Sequence, residues 1–247
     1  MGFDGMGAPQ VNREFFTMKG RNFIKVAKKP TNDDEAKALL DAGFQYFEYK
    51  NKEGEVKFSY EMRFNNIEGQ IVACFEREGN YHVEQCIVIE DRNGEQAQVS
   101  VKKYMNSQLE NLMNRMCHPD FDINQVVKLV PYSKPKGDGK KGYNEGVVIY
   151  MMDEDNQFTV KVEKGFKAPE KGKKADHKCP SWDKEKKQGK DVWNNDATMT
   201  YLCDAVKPIV EAVKPADWSW KPEPVVEITD EPEVEAPDQP EGEEVEL

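Results

Sequence analysis

Every second position from Val56 to Phe64 is apolar. Val56, Phe58, Tyr60, Met62 and Phe64 share one face of an extended chain, and Lys57, Ser59, Glu61 and Arg63 share the other. A period of two predicts a half-buried antiparallel strand. Phe44–Lys50 precedes it across Asn51-Lys-Glu-Gly54, a hairpin signal. Phe44, Phe58, Tyr60 and Phe64 are expected to fill the core, as strand aromatics do. Ile71–Arg77, Val83–Glu90 and Ala97–Tyr104 follow as strands, with turns at Gly79-Asn80 and Asn93-Gly94. The period then changes. Leu109, Leu112, Met113 and Met116 recur at i, i+3, i+4 and i+7, which predicts a helix over Asn106–Cys117, stopped by His118-Pro119. Strands resume at Gln125–Tyr132, Gly146–Met152 and Phe158–Val162.

Either side of this block the pattern is weaker. Residues 13–29 mix Phe15, Phe16 and Phe23 with six bases against Glu14 alone, and no element is assigned. Pro30-Thr31-Asn32 opens a short helix. Asn32 or Thr31 can cap it, Asp33, Asp34 and Glu35 suit its first turn, and Gly43 can end it. Residues 161–190 hold eleven lysines, five acids and few aliphatics, and read as an irregular basic excursion. Asn195–Val213 has Met199, Leu202, Val206, Ile209 and Val213 at helical spacing, and Pro208 is expected to kink that helix or end its first half.

Strands without intervening helices exclude parallel βαβ architecture. The fold class expected is mostly β: an OB-like Greek-key barrel with one central helix, extra hairpins, a C-terminal helix and a disordered acidic tail. The divisions expected are an N-terminal arm and short helix (1–43), the barrel core (44–165), the lysine-rich excursion (166–194), the C-terminal helix with a Trp segment (195–221) and the tail (222–247).

Charge sharpens this division. The 247 residues carry 35 bases and 46 acids, a net charge of −11. Pro222 to Leu247 holds eleven of the acids and no base, which leaves residues 1–221 neutral. An overall acidic chain is therefore compatible with a polyanion partner. The tail, rich in Pro and Glu, has the composition of a disordered segment. No apolar run approaches the ~20 residues of a membrane span, and the N-terminus lacks a signal pattern, so a cytoplasmic location is expected.

Catalytic chemistry has little to stand on. His82, His118 and His177 have no partners at zinc-finger spacing, and Cys74, Cys86, Cys117, Cys179 and Cys203 form no C-x-x-C pair. Neither G-x-S-x-G nor a Walker A motif occurs. Asp91 and Asp153-Glu154-Asp155 sit where turns are expected. The expectation is no enzyme activity, no metal and no cofactor.

What remains is a binding constellation of bases interleaved with aromatics. Its members are Tyr46, Phe47, Tyr49 and Lys50; Lys57, Tyr60 and Arg63; Phe75 and Arg77; Lys102, Lys103 and Tyr104; Tyr132; the basic link Lys134, Lys136, Lys140, Lys141 and Tyr143; and the basic excursion from Lys161 to Lys190, with Trp182 near its end. Lysine and arginine neutralise phosphates and release counterions, and aromatic faces stack unpaired bases without demanding a sequence. The acidic tail can occupy such a groove until a longer polyanion displaces it. The alternative class is a structural or interaction protein, a virion accessory or assembly chaperone, whose tail binds basic protein partners.

Val126-Val-Lys-Leu-Val-Pro-Tyr132, the basic Gly-rich link to Gly142, Gly146-Val-Val-Ile-Tyr150 and the tail from Glu223 onward resemble the single-stranded DNA-binding proteins of tailed bacteriophages. The likeness is one of layout, over residues 44–165 plus the tail. It implies an OB-fold that coats single-stranded DNA in replication and recombination in the host cytoplasm. It also implies a tail that contacts polymerase, helicase or primase, here through Glu241, Glu243, Glu244, Glu246 and Leu247, and the possibility of homo-oligomers. Many such tails end in an aromatic residue; this one ends in Leu247.

Overall fold

Gly20 sits at φ +62, a left-handed conformation that costs glycine nothing. It lets the chain reverse between β1 (Arg13–Lys19) and β2 (Asn22–Val26), a hairpin to which the sequence pattern assigns no element. The reason lies in Phe15 and Phe16. They are alike in sequence, yet Phe15 is 58% exposed and Phe16 is buried at 8%, so the alternation is hidden. The computed structural model describes residues 12–51, 53–79, 81–137, 142–167, 177–187 and 190–216.

After the first hairpin come α1 (Asp33–Asp41), β3 (Gln45–Lys50), β4 (Val56–Phe64), β5 (Ile67–Glu78), β6 (Val83–Glu90) and β7 (Gln96–Lys102). Then follow α2 (Ser107–Met116), β8 (Val127–Pro135), β9 (Tyr143–Met151), β10 (Val160–Lys161), β11 (Asp183–Lys187), β12 (Lys190–Asn194) and α3 (Asp196–Glu211). The protein is mostly β.

Ten strands form one mixed sheet in the order β10-β9-β8-β5-β6-β7-β1-β2-β4-β3. Two strands change partner part-way. β1 pairs in parallel with β7 through Arg13–Phe16, then antiparallel with β2 from Thr17 to Lys19. β5 pairs with β8 through Ile67–Gly69 and with β6 from Gln70 to Glu78. Gly69 stands at the second switch, where an added Cβ would lie 2.6 Å from Glu90 O and from Ile89 Cγ2. The order ends on β10 and β3, and no pairing among the described residues closes it.

One core underlies the sheet. Leu109, Leu112, Met113 and Met116 of α2 are at most 1% exposed and join Phe16, Met18 and Phe23 from the first hairpin, Ile87 and Ile89 from β6, and Met199, Leu202 and Val206 from α3. Asn106 starts α2, its side chain accepting from the backbone N–H groups of Gln108 and Leu109, both at 3.0 Å. Asn32 caps α1 in the same way, accepting from Glu35 N at 2.8 Å.

Three hairpin loops share one chemistry. Asn51, Asp91 and Asp153 each accept, through Oδ1, from the backbone N–H groups two and four residues on. The fourth loop position is left-handed in each: Gly54 at φ +83, Gly94 at +77 and Asn156 at +59. The Asn93-Gly94 turn is thus one part of a longer loop opened by Asp91. Asp91 and Asp153 are turn-formers, as their positions suggest.

Three expectations are corrected. First, none of Phe44, Phe58, Tyr60 and Phe64 is buried. Phe58 is 36% exposed, and Phe64 reaches only the edge of the core, against Phe16 with ring centroids 5.5 Å apart. The β3–β4 hairpin ends the sheet, beyond the layer that covers β1 and β2. Second, residues 161–190 are not wholly irregular, because β11 and β12 pair antiparallel from Asp183↔Asn194 to Lys187↔Lys190. Third, Pro208 does not end the C-terminal helix, because α3 runs through it to Glu211. Among the described residues no helix is long and apolar enough to cross a membrane.

Candidate nucleic-acid interface

The β1–β2 turn meets the β8–β9 hairpin at Ser133. Arg21 Nε donates to Ser133 O at 3.0 Å and ties the two together. Between them and β4 lies a cleft of about 520 Å³, lined by Lys19, Arg21, Asn22, Ile24, Arg63, Ser133, Pro135 and Tyr143. Among the described residues three bases line it and no carboxylate does, though Glu61 pairs with Arg63 behind the wall. Arg63 is held from two sides. Its guanidinium lies 3.7 Å from the centre of the Phe47 ring, and it donates to Glu61 Oε2 from Nη2 at 2.8 Å and from Nε at 3.1 Å. Burial alone would raise the Glu61 pKa; the hydrogen bonds from Arg63 and Ser59, with the Arg63 and Lys19 charges, bring it below its ordinary value.

Tyr143 also lines a second cleft, of about 400 Å³, with Tyr132, Lys136, Lys164, Trp182, Glu110 and Glu145 among its other walls. Both carboxylates there are engaged. Glu110 accepts from Trp182 Nε1 at 2.8 Å and from Asn195 Nδ2 at 3.1 Å, and Glu145 accepts from Ser133 Oγ at 3.1 Å. The Tyr143 ring, 62% exposed, stands where the clefts meet. Lys136 N–H donates to Gly142 O at 3.0 Å and closes the loop below it. Clustered bases can neutralise phosphates, and an uncovered ring can take a stacked base.

The structure thus gathers Arg63, Tyr132, Lys136 and Tyr143 from the expected set. Lys134 is exposed on β8 beside them, paired across the ladder with Asn144, but lines neither cleft. Tyr49 and Lys57 share the Arg63 face of the β3–β4 hairpin as cross-strand partners, and Lys57 is engaged by Glu55 at 2.9 Å. Tyr46, Lys50 and Tyr60 lie on the opposite face, where Tyr46 and Tyr60 pack edge-on at 5.6 Å. Arg77 donates to Glu84 at 3.2 Å from Nε, and Lys102 of β7 stands directly opposite the same glutamate. Tyr104 packs against the core, with the Lys103 ammonium 5.2 Å from its ring centre. None of these lines either cleft. Lys140, Lys141, Glu241, Glu243, Glu244, Glu246 and Leu247 lie outside the described residues.

Lys19 and Arg21 are the site residues absent from the expected set, while Lys164 and Trp182 come from the basic excursion of residues 161–190. The excess of bases in residues 13–29 and 161–190 was the available signal, but not which of those bases meet the β8–β9 hairpin. Among the described residues no group of three or more His, Cys, Asp or Glu side chains is placed to hold a metal ion.

No protein-family model, curated protein or solved structure matches this chain.

Proposed function

We propose that the chain is a non-enzymatic, sequence-nonspecific single-stranded DNA-binding protein of replication and recombination, similar to those of tailed bacteriophages. The observation that carries the proposal is the wall of Lys19, Arg21 and Arg63, lined by no carboxylate among the described residues, beside the uncovered Tyr143 ring. Strand connectivity supports an OB-like unit at its centre. β5, β6, β7, α2, β8 and β9 follow one another, β8 returns to pair with β5, and the helix falls between the third and fourth strands of the five. Phosphates run along the basic wall while bases stack on Tyr143 and its neighbours. The acidic tail competes for the same wall. Once displaced, it is free to recruit polymerase, helicase or primase in the host cytoplasm.

The test is fluorescence anisotropy with a labelled oligo-dT of about 30 nucleotides, long enough for several OB-fold sites. A duplex of equal length is the control. Full-length protein and a variant ending at Pro222 are compared at two salt concentrations. The expected result is salt-sensitive preference for oligo-dT, tightened by removal of the tail. Absence of binding by both proteins at low salt overturns the proposal.

A further inference from the structure

β3 ends the ten-stranded sheet, and no strand among the described residues pairs with its outer edge. α1, which precedes it, buries none of its residues. Natural edge strands are protected by proline, bulges, shortness, charged side chains or a covering helix or loop. β3 has no proline and no bulge over Gln45–Lys50, six residues in unbroken register with β4, and its edge carries two opposite charges, Glu48 and Lys50. Its flanks are apolar and exposed, with Tyr46 at 46%, Tyr49 at 52% and Val56 at 60%.

The orientation of its backbone follows from the loop. Asn51 N–H donates to Glu55 O across the hairpin at 2.9 Å. In an antiparallel ladder the inward-bonded positions alternate. Tyr49 and Phe47 therefore turn their backbone groups towards β4, and Tyr46, Glu48 and Lys50 turn theirs outward. A second antiparallel strand can bond only to these three.

We propose that β3 pairs antiparallel with β3 of a second copy of this chain, about a two-fold axis at Tyr49. In that register Glu48 of each copy stands opposite Lys50 of the other, and Tyr49 faces Tyr49 in a close, non-hydrogen-bonded pair. An axis at Glu48 would oppose two carboxylates, and one at Lys50 would oppose two ammonium groups. An axis at Phe47 forms no ion pair. An axis between residues would set outward-facing backbone against inward-facing backbone. The charges are available: Glu48 Oε1 accepts from Tyr46 Oη at 2.7 Å, and Lys50 makes no ion pair among the described residues. Such an interface is isologous and closes at the dimer. It does not depend on nucleic-acid binding.

The test is sedimentation equilibrium of the full chain at about 0.15 M salt, which leaves contacts shorter than the Debye length unscreened. The expected wild-type result is a concentration-dependent dimer. Glu48→Lys and Lys50→Glu each turn two attractive pairs into repulsive ones and weaken the dimer about tenfold or more. The double variant Glu48→Lys/Lys50→Glu restores it. So does an equimolar mixture of the two single variants, in which every cross-strand position again opposes unlike charges. A wild-type protein that stays monomeric up to about 1 mM, where only very weak association would go undetected, overturns the proposal. Single variants that dimerise as tightly as wild type overturn it too, as does a double variant or a mixture that fails to recover. Both substitutions are at exposed positions, and unchanged circular dichroism confirms that each variant is folded.

Discussion

Tyr132 and Gly146 face each other across β8 and β9, and the tyrosine ring occupies the space a glycine Cβ would need. A Cβ built on Gly146 lies 2.4 Å from Tyr132 Oη and 2.6 Å from Cζ. Gly146 is therefore required by the ring packed across it. Gly146→Ala is expected to push Tyr132 out of its place beside the second cleft, at a cost of about 1–3 kcal/mol for overpacking. Adding Tyr132→Ala should relieve most of that cost. Urea denaturation of the two single variants and the double variant measures this coupling. Additive losses would show that the ring does not hold this position.

Arg63 and Tyr143 are expected to contribute to binding in different ways. Arg63→Ala, and Arg21→Ala beside it, should lower affinity alike for all sequences and reduce the salt slope by about 0.7 each, the loss of one phosphate contact on a single strand. Tyr143→Ala should leave the slope unchanged and cost about 1–3 kcal/mol, one stacked base. Titrations of oligo-dT and oligo-dC across salt concentrations separate the two. An unchanged slope in Arg63→Ala would remove it from the phosphate path.

Asn106 holds two backbone donors at the start of the most deeply buried helix. Asn106→Ala leaves both without that acceptor and is expected to destabilise the fold by about 1 kcal/mol, within a range of roughly 0.5–2. Asn106→Asp, which retains the acceptor, should recover most of it. Thermal or urea unfolding checks both. A neutral Asn106→Ala would mean that the α2 end is satisfied in some other way.

Cys74 supplies a pH dependence. Burial is the main cause that pushes its thiol up to about 12 from 9.0, and the neighbouring Cys203 adds to the shift. Gln85 spans the two, donating to Cys74 Sγ at 3.2 Å and accepting from Cys203 Sγ at 3.4 Å. The folded protein favours the neutral thiol. Its contribution to stability is therefore complete below pH 9.0 and is lost progressively as pH rises from there towards about 12. At pH 8 the native Cys74 holds about a thousandfold less thiolate than an unperturbed cysteine, because each pKa unit is a factor of ten. Iodoacetamide labelling followed by mass spectrometry should find Cys74 protected in the native protein and reactive in urea. Equal rates would contradict the raised thiol pKa.

Elements whose pattern is set by near neighbours were legible in the sequence. β6 has the bounds expected of it, Val83–Glu90, and α2 begins directly after Asn106 with its four predicted residues in the core. The three loops were marked by Asn51, Asp91 and Asp153, since an Asx side chain closes a turn on its own backbone. The clefts were legible only in part. Tyr132, Lys136, Tyr143 and Arg63 stood out as bases and aromatics in strands. Lys19 and Arg21 sat in a segment whose hairpin was hidden by Phe15.

The sequence by itself determined the mostly β class, the central helix and the concentration of negative charge after Pro222. These follow from periodicity, capping and composition, which act over a few residues. Only the tertiary structure decided which face of a strand is covered and which distant bases share a wall. Phe58 alternates as a core residue should, yet stays exposed because β3 and β4 run past the layer that covers their neighbours. Arg21 reaches Ser133 across 112 positions because β1 leaves β7 for β2 part-way along its length. Burial depends on what folds over a residue, and that partner is chosen far away in the chain.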